Sequence, residues 1–94
     1  MIAEHVEIEV LPGREADLES SFSTVRTLLL SAPGCTEARL HASVDRPGTY
    51  LMVAHWNRLE DHTVAFANSD AGARVRDVLQ PLCAGPPRVV HYAL

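Results

Sequence analysis

Residues 40–56 read LHASVDRPGTYLMVAHW. Two strand-like runs flank the turn sequence Asp45-Arg46-Pro47-Gly48, which predicts a β-hairpin. In the second strand Tyr50, Met52, Ala54 and Trp56 point to one face, and Leu51, Val53 and His55 to the other. A strand with one wet face alternates apolar with polar residues. This one is apolar on both faces, so both have to be covered. The hairpin also carries a histidine towards each end, His41 and His55.

Upstream, Ile2 to Leu11 alternates, with Val6, Ile8 and Val10 on one face and His5, Glu7 and Glu9 on the other, and predicts a strand. Pro12-Gly13 ends it. From Arg14 to about Ala32, Leu18, Phe22, Val25 and Leu29 form one stripe of an amphipathic helix, stopped by Pro33-Gly34. The hairpin strands fall at about 36–43 and 49–56. Downstream, Asn57 with Glu60 three residues on resembles a capping box and predicts a short helix. Its inner stripe would be Leu59, His62 or Thr63, and Phe66. Ser69-Asp70 breaks it and can cap a further helix, Ala71 to about Leu79, with Val75, Val78, Leu79 and then Leu82 inward. Cys83 to Pro87 is a loop, and Arg88 to Leu94 a last strand.

The order β-α-β-β-α-β predicts an α+β, ferredoxin-like fold, a four-stranded antiparallel sheet with helices on one face. Residues 1–94 read as a single domain. A chain of this length buries only roughly 60–65% of its unfolded surface. The second sheet face is left bare, and the economical cover is the sheet of an identical subunit packed with two-fold symmetry.

Twelve acidic residues against eight arginines and no lysine give a net charge of −4. No stretch gathers positive charge, so nucleic acid and anionic membrane are poor partners. The absence of lysine excludes a lysine Schiff base. Cys35 and Cys83 form neither CxxC nor a metal-ligand spacing, and read as reduced, partly buried thiols. The first residues, MIAEHVEIEVL, do not read as a signal peptide, and no apolar run approaches the ~18 residues of a membrane span. The expected location is the cytoplasm.

These pieces, in order, are a first strand, LPGREADLESSF, APG, LHASVD, AHW and FANSDAGARVR. Together they resemble the antibiotic biosynthesis monooxygenase (ABM) domain family of small, two-fold dimeric α/β-barrel proteins, over nearly the whole chain. Within it, the sequence is similar to the cofactor-independent branch that oxidises aromatic polyketide anthrones or hydroquinones to quinones. The shared features are His41-Ala42-Ser43 on the second strand, Trp56 ending the third, and Arg76 in the last helix. Two positions depart: Met52 stands where that branch has Asn, and His62 where it has Tyr. A second branch degrades haem, using a helix histidine and a strand asparagine, but the matching positions here are Arg76 and Val6. An arginine has no free lone pair for iron, so haem degradation is rejected.

The resemblance places a cavity between the helices and the Trp56 face of the sheet, walled by Met52, Trp56, Phe22, Phe66 and Val75. Such a pocket suits a flat aromatic ligand, although each residue also reads as ordinary core. His62, on the apolar side of its helix, can be a general base. His41 joins Trp56 if paired hairpin residues sum to an odd number, and His55 on the opposite face if they sum to an even one; a one-residue bulge switches the two. Arg76 can hold a phenolate or enolate oxygen. His5 and His91 read as structural or exposed. No HxH, HxxxH or facial triad marks a metal site, and no GxGxxG marks a dinucleotide or flavin, so no cofactor is expected. The implied activity is a cofactor-independent monooxygenation of an aromatic hydroquinone or anthrone by O2. The alternatives are a polyketide cyclase or isomerase using the same base, and a dimeric binding protein for aromatic ligands.

Overall fold

The computed structural model describes residues 1–94. Strand β1 (Ile2–Glu9) leads into helix α1 (Glu15–Ser31), then β2 (Cys35–Ala42) and β3 (Thr49–Trp56). A π-helical turn (Asp61–Phe66), helix α2 (Asp70–Leu79) and a 3-10 turn (Gln80–Leu82) precede β4 (Arg88–Ala93). The four strands form one antiparallel sheet in the order β2-β3-β1-β4. This is the ferredoxin-like α+β arrangement that the element order predicts, with β2 and β4 at the edges.

The helix-facing side of the sheet carries the core. Val6 and Ile8 from β1, and Tyr50, Met52, Ala54 and Trp56 from β3, join Leu18, Val25 and Leu29 from α1 in one buried cluster. Phe66, Val75, Leu79 and Leu82 close it from the second half of the chain. Phe22 from the expected α1 stripe is only half-buried and packs against the edge of this cluster. The opposite face of the sheet has no element over it: Leu51, Val53 and His55 on β3 are half-buried, and Tyr92 on β4 is exposed.

The short helix starts differently from the expectation. Asn57 caps nothing; the Asp61 carboxylate accepts the Arg58 backbone N–H at 3.1 Å. The turn then widens into a π-helix, and Leu59, expected inside, is exposed. Ser69 does cap α2, its Oγ accepting the Gly72 N–H at 3.0 Å. Gly72 is required there for space, because a Cβ would collide with the Phe66 carbonyl oxygen.

The hairpin register decides where its histidines go. Leu40 pairs with Met52, His41 with Leu51 and Ala42 with Tyr50, so the pairs sum to an even number. A bulge does occur in β2, but between Cys35 and Glu37, far from the turn. The extra residue re-aims only the start of the strand and puts Cys35 opposite Trp56. His41 is left exposed on the open sheet face with His55, away from the core.

Candidate functional site

The helix-facing side of β1 has one anomaly. Glu4 keeps step with Val6 and Ile8, and is 4% exposed among apolar side chains. A buried carboxylate must be supplied with donors. Its Oε1 accepts the indole Nε1–H of Trp56 at 2.9 Å. Its Oε2 lies 3.2 Å from Nε2 of His62. The other ring nitrogen of His62, Nδ1, is 2.8 Å from Nε2 of His91. The chain Trp56–Glu4–His62–His91 is therefore continuous, and no buried side-chain nitrogen or oxygen lacks a partner.

Each member is placed by a different element. Glu4 and His91 are direct partners in the β1–β4 ladder, and Ala54, two residues before Trp56, is the partner of Glu4 in the β1–β3 ladder. His62 is delivered from above by the π-helical turn. Its ring stacks on Trp56, with centroids 5.2 Å apart and planes 28° apart, and Phe66 lies 5.3 Å from Trp56 on the same side. The wide π-turn lets His62 and Phe66, four residues apart, both face the indole. Such turns are frequent at functional sites.

Burial is the main influence on both ionisable partners. It pushes the Glu4 carboxyl above its usual range, against the Trp56 hydrogen bond, which acts the other way. Burial, reinforced by the neighbouring His91, pushes His62 down to about 4. Each shift disfavours that group's own charge. Together they act against a carboxylate–imidazolium ion pair and hold His62 as a neutral imidazole at neutral pH.

This has a measurable consequence. The His62 pKa is about 6.5 unfolded and about 4 folded, so the unfolded chain binds the proton first as pH falls. Its contribution to stability is complete above pH 6.5 and is lost on descending to pH 4, a change of about 3 kcal/mol. Glu4, raised in the fold, has the opposite sign: its contribution is full below its unfolded value and is lost as pH rises. Urea denaturation of wild type beside His62→Gln isolates the histidine. The wild type's stability relative to the variant should fall by about 3 kcal/mol between pH 7 and pH 4. A difference independent of pH would contradict the neutral, half-buried imidazole.

The remaining candidates divide. Met52, Trp56, Phe66 and Val75 are each at most 7% exposed and belong to the closed core. Phe22 instead borders a shallow groove with Glu19, Leu40, Ala42 and Tyr50. Of the wall residues, Trp56 and Phe66 lie against His62. His41 does not reach this group. Nor does Arg76, which is exposed, donates from Nη1 to the Ala67 carbonyl at 3.3 Å, and borders a cleft of about 500 Å³. That cleft is lined also by Val75, Leu79, Cys83, Pro86 and Pro87. The two thiols are free and half-buried. No three His, Cys, Asp or Glu side chains are grouped as a metal site, and no helix is long and apolar enough to cross a membrane.

Two members of the chain escaped the sequence reading. Glu4 had a signal, since it shares the parity of Val6, Ile8 and Val10 and so had to face the core. His91 had none, because its meeting with His62 depends on the pairing of the first and last strands.

A family model described as antibiotic biosynthesis monooxygenase matches residues 1–77. A crystal structure from Bordetella bronchiseptica, named "Putative antibiotic biosynthesis monooxygenase", is 35% identical with a TM-score of 0.95, the match covering 99% of this chain and 95% of that one. A protein of the same printed name from Nitrosomonas europaea shares the fold at 17% identity, with a TM-score of 0.83 over 99% of this chain and 97% of its own. The uncharacterised protein YczJ of Bacillus subtilis is 24% identical over 92 residues, 98% of this chain and 97% of its own. The family match spans most of the chain and the Bordetella relative covers nearly all of it, so the chain belongs to the antibiotic biosynthesis monooxygenase family.

Proposed function

We propose that the protein is a cofactor-independent monooxygenase that converts an aromatic anthrone-type or hydroquinone substrate to a quinone with O2. Family membership supports the monooxygenase role in general. The observation that carries the finer reading is the Glu4–His62–His91 chain, a buried carboxylate coupled through a neutral imidazole to a second one. A substrate that supplies its own electrons needs from the protein a base and a dry setting. Proton removal leaves an electron-rich carbanion or phenolate that reduces O2. Recombination gives a peroxide. Loss of water then leaves a carbonyl: for an anthrone, the CH2 carbon becomes C=O, one oxygen atom enters the product and the other leaves as water.

The surroundings favour a flat aromatic molecule. Pro86 and Pro87, which line the Arg76 cleft, immediately precede β4 in the chain. On the side of β4 that bears His91, Val89 and Ala93 are exposed. Arg76 at the cleft would hold a phenolate oxygen by a charge-assisted hydrogen bond.

The test is substrate consumption by dialysed, metal-stripped protein in air and under nitrogen, with a tricyclic anthrone and a simple quinol. The oxygenase consumes substrate and O2 together and is silent without O2. Turnover that continues under nitrogen would instead identify a cyclase or isomerase. Saturable quenching of Trp56 fluorescence with no product would identify a binding protein.

The open face of the sheet supports a homodimer. It presents Leu51, Val53, Val90 and Tyr92 beside His5 and His55, with no element of this chain over them. Light scattering should therefore give about twice the 10.3 kDa of one chain. Val53→Asp, which places an unpaired charge in that face, should shift it to the monomer mass. A wild-type monomer at micromolar concentration would contradict the assembly.

A further inference from the structure

Both ring nitrogens of His62 are occupied, Nε2 by Glu4 and Nδ1 by His91. A neutral imidazole has one N–H and one lone pair. With the Glu4 carboxyl ionised, His62 would carry its proton at Nε2 and donate it to Glu4, leaving its lone pair at Nδ1. That lone pair accepts from His91, which must then be protonated at Nε2. The lone pair left at the end of the chain is on Nδ1 of His91. In that arrangement His62, the histidine singled out by its place on the apolar helix face, has no lone pair to offer a substrate.

We infer that Glu4, His62 and His91 form a directional proton relay in which His91 Nδ1 takes the substrate's proton and the Glu4 carboxylate is where the charge is neutralised. The assignment rests on the oxygenase reading for the identity of the substrate. In the step, the substrate C–H or O–H bond breaks and its electron pair stays on the substrate. The proton bonds to Nδ1 of His91. The Nε2 proton of His91 passes to Nδ1 of His62, and the Nε2 proton of His62 passes to Oε2 of Glu4. Each imidazole gains one proton and gives one up, so both end neutral, and one negative charge has moved from Glu4 to the substrate. The substrate anion is then the electron donor to O2.

The setting fits this traffic. His91 is on the edge strand β4, half-buried, between exposed Val89 and Ala93, so a ligand can approach it. Glu4 is buried, its side chain 5% exposed, and His62 is half-buried, its side chain 18% exposed. Trp56 holds Oε1 of Glu4 at 2.9 Å and thereby aims Oε2 at His62. The upward push of burial on Glu4 makes its carboxylate a better final acceptor. His91 is the catalytic residue of this scheme, and Glu4 and His62 are positioning residues acting through it.

Nitrogen–proton correlation NMR of histidine-labelled protein at neutral pH reads the relay without any turnover. The expected spectrum shows His62 and His91 both as Nε2–H tautomers. In Glu4→Gln, which keeps the volume, His62 should lose its fixed tautomer or change it. Anthrone oxidation gives the second readout. His91→Ala should lose at least about 100-fold in kcat and regain much of it with added imidazole, whereas Glu4→Gln should lose a similar amount that imidazole does not restore. A His62 ring with a solvent-exchanging, unbonded nitrogen would overturn the relay. So would a His91→Ala enzyme within threefold of wild type, while leaving the oxygenase reading intact. A wild type with the expected tautomers but no O2 uptake would overturn the oxygenase reading and with it the catalytic use of the chain.

Discussion

His62→Ala should lower kcat for anthrone or quinol oxidation by at least about 10²-fold, within the 10²–10⁴ range that positioned proton transfer contributes, with KM changed only a few-fold. The imidazole is the middle link of the chain, so its loss separates the Glu4 carboxylate from His91. Glu4 then loses a donor and His91 loses its acceptor. A drop confined to kcat signifies an interaction that matters in the transition state and not in binding. His62→Gln, which fills more of the space, should be as inactive as the alanine variant, because an amide cannot pass a proton from one side to the other. Steady-state oxygen uptake over a substrate range checks both. A rise in KM at unchanged kcat would make His62 a wall of the site and nothing more.

Trp56→Ala should destabilise the fold by about 3–5 kcal/mol, as expected for deleting a fully buried large aromatic. Trp56 has no exposed surface and stacks on both His62 and Phe66. Its deletion also leaves Oε1 of a buried carboxylate without a donor, and the total stability of a domain this size is only about 5–15 kcal/mol. Trp56→Phe separates the two effects. It keeps most of the packing and removes the N–H, so it should cost about 1–3 kcal/mol. Urea denaturation followed by far-ultraviolet circular dichroism measures both, since the variants lose the fluorescent reporter. Equal losses in the two variants would mean that the hydrogen bond, and not the packing, carries the contribution of Trp56.

The architecture was readable from local pattern. Val6, Ile8 and Val10 alternate, Leu18, Val25 and Leu29 repeat at helical spacing, and Pro-Gly pairs end β1 and α1 where the chain turns. Strand β3 reads apolar on both faces: one side packs under the helices, and the other lies on the open face of the sheet. The Trp56–Glu4–His62–His91 chain was readable only in part. His62 showed itself by its place beside Phe66, and Trp56 by its place at the end of β3. Hairpin register was open from the sequence, because a single bulge changes parity, and the bulge fell at the start of β2. That sent His41 to the open face. Arg76, near the inner edge of α2 by spacing, turned outward to a separate cleft, since Val75 beside it took the core position. His91 needed the β1–β4 pairing, a contact between the two ends of the chain that no local pattern encodes.

The most direct test of the central claim is the fate of isotopically labelled O2 in dialysed, metal-stripped protein given a tricyclic anthrone. The expected result is one O2 consumed per anthrone, one labelled oxygen in the quinone and the other in water, with His62→Ala at the spontaneous rate. Uptake no faster than the spontaneous reaction, or a His62→Ala variant as fast as wild type, would contradict it.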